Sequence, residues 1–189
     1  MDIESPQTRE QILLGFAQQE IDSVAYWDAF DLEAFFRNIG SSWSPADTVR
    51  HLNKSTRPVV KALSMPKLLL RLKFGKAKRA SLPSDQFCDR YRQALAEGGQ
   101  AGRFAPSVQS QSDLQSWRRS IMDEFAHVNR ELRSAIDRWP ESKLDRLQLP
   151  HPLLGNLTVR EMLFFTLYHQ RHHMAVVQRR LGEAFPPSR

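Results

Sequence analysis

The sequence predicts an all-α fold, a four-helix bundle with one long crossover between its second and third helices. Three observations carry this expectation. Four segments repeat their apolar residues at helical spacing, no run shows convincing strand alternation, and more than forty residues containing Pro, Gly and Ser separate the second segment from the third.

The first helix is expected from about Thr8 to Phe30, where Ile12, Leu13, Phe16, Val24 and Trp27 fall on one broad stripe. The second opens at WSPADTVRHL. Ser44 can cap it, Pro45 suits the first helical position because its missing N–H is not needed there, and Asp47 completes a capping box. This helix is expected to end or kink near Pro58, whose ring lacks a donor and crowds the preceding turn. The third is expected from about Ser112 to Trp139, with Leu114, Trp117, Ile121, Phe125, Val128, Leu132 and Ile136 in register and Pro140 closing it. The fourth should start near Thr158, an N-cap with Glu161 three residues on, and run to Leu181 before Gly182 stops it. A crossover this long should contain short helices of its own.

Residues 1–189 are long enough for a single domain with a real hydrophobic core, and 41% hydrophobic with 25% charged residues describes neither a disordered nor a membrane-like chain. The longest apolar runs, Leu68–Leu70 and Leu163–Phe165, fall far short of the roughly 18 residues that span a bilayer. With acids near the first residues and no basic leader, a cytoplasmic location is expected. A single cysteine, Cys88, forms no internal disulfide and excludes a cysteine-based zinc site, so any metal must use histidine or carboxylate.

The net charge of +6 is concentrated. Nine basic and three acidic residues between Ser64 and Ser110 account for all of it, and Lys67 to Arg79 holds six basic residues and no acid. Such a segment either meets an anionic partner or is a solvated basic face.

Three of the six histidines stand in YHQRHH, Tyr168 to His173. On a wheel at about 100° per residue, Val159, Leu163, Gln170, Met174, Val177 and Leu181 form the core side of the fourth helix. His169 and His173 lie together on one flank, whereas His172 points nearly opposite the core. Spacing of i, i+4 lets two imidazoles reach a common ion or simply hydrogen-bond their neighbours. A catalytic metal site typically takes three protein ligands and an open position. His51, His127 and His151 are the candidates for the third; His151, between two prolines, suits a turn, and periodicity selects none of them.

WSPADTVRHL together with HPLLGNLTVREMLFFTLYHQRHHMAVVQRRLG resembles the DinB-like superfamily of four-helix-bundle proteins. The match covers the second and fourth helices and the turn before the latter, about a third of the chain. The resemblance implies a divalent metal held by His51, His169 and His173, with zinc or nickel foremost and iron or manganese open to such a nitrogen-rich site. It also implies a metal-dependent enzyme, since characterised branches are thiol transferases or isomerases that use low-molecular-weight thiols. The function expected is therefore a thiol-dependent S-transferase. Metal-bound water drops toward a pKa of ~7 and a bound thiol is deprotonated outright, so either supplies a nucleophile.

Two alternatives stand beside it. One is a non-catalytic protein whose basic segment contacts nucleic acid, in keeping with the DNA-damage-inducible name of the family; it ranks lower, because Phe74 is the only aromatic residue between Lys67 and Arg79. The other is a metal-dependent hydrolase, for which no separate general base is evident. The partners expected are a small-molecule substrate and a second copy of the chain in a homodimer. Glu20, in the middle of an apolar stripe, is expected to pair with a bundle arginine in preference to supporting a metal ligand. Cys88 is expected to be a small half-buried residue and not a nucleophile.

Overall fold

The structure is a computed structural model and describes residues 7–184. Four long helices form its frame, and local chemistry explains where each begins. In α1 (Arg9–Asp28) the Thr8 hydroxyl accepts the Gln11 N–H while the Gln11 side chain accepts the Thr8 N–H, a reciprocal cap. A short α2 (Leu32–Phe36), capped by Asp31, follows. In α3 (Pro45–Ser64) the Ser44 hydroxyl accepts the Asp47 N–H at 3.0 Å, as expected. The Asp47 carboxylate does not close the box; it turns outward to Arg50 at 2.8 Å.

Helix α3 also runs through Pro58 to Ser64 instead of ending there. Pro58 is exposed, so the carbonyl it leaves unpaired one turn back can be solvated, while Val59 and Leu63 beyond it stay buried and hold the last turns down. The crossover contains α4 (Lys67–Phe74) and α5 (Ser84–Ala96), the short helices anticipated there. Asp113 caps α6 (Leu114–Asp137), after which Trp139 is buried and donates its indole N–H to the Leu63 carbonyl at 2.9 Å.

A small antiparallel hairpin precedes the last helix: β1 (Gln148–His151) pairs with β2 (Gly155–Thr158). The sequence reading missed it, because four-residue strands are too short to show alternation. Gly155 takes φ +70° at the turn, a conformation L side chains rarely adopt. In α7 (Val159–Ala184) Thr158 and Glu161 exchange hydrogen bonds of 3.0 and 3.1 Å, the expected cap. This helix passes through Gly182, which therefore does not stop it.

Helices α1 and α3 each pack against both α6 and α7, closing a four-membered helical ring. The fold is thus all-α apart from the hairpin. Ile12, Phe16, Leu63, Leu132, Ile136, Trp139 and Leu163 fill one part of the core, and Trp27, Phe35, Val49, Leu52, Phe125 and Val177 fill another. The crossover folds back on this frame: α4 touches β1, where Gln148 donates to the Phe74 carbonyl at 2.7 Å, and α5 lies along α7. Among the described residues no helix is long and apolar enough to cross a membrane.

Candidate metal centre

The capped start of α3 places His51 two turns into the bundle, where it is buried at 3% exposure. Helix α7 brings His169, 5% exposed, and half-buried His173 to the same point. The Nε2 atoms of His51 and His173 each lie 3.1 Å from Nε2 of His169, and one ring nitrogen from each of the three residues falls within 4.8 Å of the others, close enough to hold an ion. A neutral imidazole nitrogen offers either one proton or one lone pair, so His169 Nε2 cannot satisfy both neighbours equally. Ligand nitrogens about 2.0–2.1 Å from a tetrahedral ion stand roughly 3.3–3.4 Å apart, close to the 3.1 Å from His169 to each of the other two.

The surroundings favour this use. The His51 Nδ1 lies 2.9 Å from the Phe104 carbonyl, an acceptor only, so Nδ1 must carry the proton and Nε2 must present its lone pair to the centre. Burial lowers the pKa of His51 against the opposing effect of that hydrogen bond, with nearby Lys54 lowering it further. Burial, then mutual repulsion, holds His169 and His173 well below the ordinary histidine range. These shifts favour the neutral form, the form a metal requires. Phe165 stacks on His169 with centroids 4.8 Å apart, and Trp43 lies nearly parallel to His173 at 6.3 Å and beside His51 at 5.1 Å, so aromatic rings flank all three imidazoles.

The cluster lies in the wall of a cavity of about 710 Å³, a volume suited to a small molecule. Aromatic and apolar groups from the bundle, the hairpin and the crossover form much of the wall, together with Lys73, Arg103, Arg179 and Arg180. Among the described residues the lining contains no Asp or Glu.

A profile of the DinB superfamily matches residues 16–177, a span that contains all three histidines. The chain belongs to the DinB superfamily. Comparisons with curated proteins and with solved structures gave no match.

In this DinB-superfamily chain the other histidines take different places. His172 is not a surface residue, as the wheel had it, but half-buried against Tyr168 and Tyr91, with ring centroids 6.0 and 6.3 Å away. The wheel assumes one covered face, whereas α5 covers a second flank of α7. His151 does shape the turn: its Nδ1 accepts the N–H groups of Leu153 and Leu154, each at 3.2 Å. His127 is exposed and faces Glu131. Glu20 pairs with Arg133 at 2.6 Å, the expected ion pair. Cys88 is half-buried on α5 and its thiol pKa is raised by burial, which suits a packing residue.

Trp43, Phe104 and Arg180 were not singled out from sequence. Phe104 contributes a backbone carbonyl, which carries no side-chain signature, and Trp43 sits only one residue before the helix cap. Arg180 had a legible signal, its spacing of seven residues from His173 on one helix face.

Proposed function

We propose that this chain is a metal-dependent enzyme of the DinB superfamily, a thiol-dependent S-transferase that binds one divalent ion through His51, His169 and His173. The convergence of three neutral imidazole nitrogens on one cavity wall carries the reading. A zinc or nickel ion held there would lower the pKa of a small thiol at its open position and so supply a nucleophile at neutral pH.

The chain's own residues handle the rest. Phe104, through its carbonyl, keeps the His51 lone pair aimed at the centre. Trp43 and Phe165 hold the imidazole planes and exclude water from one side of them. The basic wall attracts anionic molecules, and the apolar wall accepts the carbon skeleton of an electrophile. A small-molecule substrate and a homodimer as the assembled form belong to the same proposal.

Two observations favour transfer over the alternatives. Among the described residues the lining offers no carboxylate as a general base for a hydrolase. Of the six cations between Lys67 and Arg79, Arg79 is tied to Glu161 and Lys67 lies over the Trp139 ring at 4.5 Å, which leaves fewer for nucleic acid. The test is metal analysis of tag-free protein, followed by conjugation of glutathione, cysteine and other biological thiols to an epoxide and an activated aryl halide. Metal-dependent conjugation that is lost in His51→Ala supports the proposal. Metal-loaded protein inert toward every thiol counts against transfer, and protein that takes up no metal counts against the centre itself.

A further inference from the structure

Six arginines among the described residues are half-buried or buried, and five of them have partners. Arg9 pairs with Asp137, Arg50 with Asp47, Arg133 with Glu20 and Arg160 with Asp145, while Arg118 donates to the Phe30 carbonyl. The sixth is Arg180. No hydrogen bond or ion pair is made to it by any described residue, although it is half-buried in the wall of the cavity that holds the histidines. A partly buried guanidinium is costly unless an anion meets it.

The other charged side chains that line the cavity are cationic too: Lys73 from α4, Arg103 from the crossover and Arg179 from its own helix, of which Arg179 has Glu183 at 3.8 Å. Among the described residues the lining holds four cationic side chains, one of them the unpartnered Arg180, and no carboxylate, which leaves the cavity short of negative charge.

Position turns this shortage into a specification. Arg180 lies seven residues beyond His173, two turns along the same face of α7, which is about 10 Å of helix rise. Val176 and Val177, between them in sequence, line the same cavity.

We propose that Arg180 is the anion anchor of the cavity, and that the molecule bound at the histidine centre carries a carboxylate or phosphate about 10 Å from the atom placed there, with an apolar stretch between. The anchor rests on the metal reading above. Arg180 is a positioning residue, since it meets the tail of the ligand and not the reacting atoms. Arg103 and Lys73, more exposed, draw the anion inward.

A chemical ruler tests this. Zinc-loaded full-length protein is titrated calorimetrically with straight-chain mercapto acids from mercaptoacetate to mercaptoundecanoate, with their methyl esters, and with mercaptoalkyl phosphates of matching length. Wild-type protein should prefer acid or phosphate to ester by about ten- to a hundredfold, the range of a charge-assisted hydrogen bond. The preference should peak at a chain that spans the two groups, and the better of carboxylate and phosphate identifies the tail. Arg180→Ala should abolish the preference with zinc content unchanged, and Arg180→Lys should retain part of it. If Arg180→Ala folds poorly, Arg180→Gln serves the same comparison.

Zinc-loaded wild type that binds acid and ester alike, or an acid preference that survives in both Arg180→Ala and Arg180→Gln, overturns the anchor alone. Wild type that takes up no zinc overturns the metal reading and the anchor with it.

Discussion

The guanidinium of Arg79 grips the fully buried carboxylate of Glu161 with two contacts, at 2.5 and 2.9 Å. The same carboxylate accepts the N–H groups of Leu82 and Thr158 at 2.9 and 3.0 Å. The last residue of the most basic run in the sequence therefore clamps the crossover to the start of α7, twelve residues or fewer from two of the clustered histidines. Removing Arg79 leaves a buried charge with its amide partners only. Arg79→Ala should destabilise by roughly 2–4 kcal/mol, below the loss from a fully enclosed pair because the arginine side chain is 41% exposed. Urea unfolding measures it; a loss under about 0.5 kcal/mol would show that the pair is ornamental.

Metal should stabilise the fold. A ligand that binds only the native state adds about 4 kcal/mol at a thousand times its dissociation constant, so chelator should lower the melting temperature and zinc or nickel should restore it. Single changes of His51, His169 or His173 to Ala should remove that response. If added metal and chelator both leave wild-type melting unchanged, the three nitrogens are a packing cluster only.

His172 and His173 are adjacent but should behave differently. His173→Ala removes one of the three converging nitrogens and should weaken metal binding by orders of magnitude. His172→Ala should keep the metal and cost about 1 kcal/mol, through lost contact with Tyr168 and Tyr91. Atomic absorption on both variants separates them, and metal loss only on changing His172 would reverse the assignment.

Acid should weaken the metal-free protein through His151. Burial, with a smaller effect of Arg90, brings its pKa from 6.5 to about 4. Between those values the unfolded chain binds the proton and the native chain does not, so the stability this group contributes is complete above pH 6.5 and is lost as pH falls toward about 4. The slope from one such group reaches about 1.4 kcal/mol per pH unit. His151→Asn, which keeps an acceptor for the Leu153 and Leu154 amides, should flatten the pH dependence of urea midpoints in this window. An unchanged slope would assign the acid sensitivity to the buried histidines at the centre, whose pKa values are also lowered.

The sequence by itself determined the parts that depend on local repetition. Helical periodicity gave the four long helices, cap residues Ser44 and Thr158 fixed two of their starts, and i, i+4 spacing put His169 and His173 on one flank, because these signals are complete within a few turns of chain. His51 came from resemblance and not from its wheel position. Only the tertiary structure decided that His51 meets that pair, since their approach depends on packing between helices 118 residues apart. It also decided that Pro58 and Gly182 do not end their helices, and that His172 is covered, because α5 crosses a flank of α7 that no pattern within α7 records. The partner of Arg79, and the lack of one for Arg180 among the described residues, are of the same kind: a charge run in sequence shows its sign, and only the folded chain shows which charges have already been met.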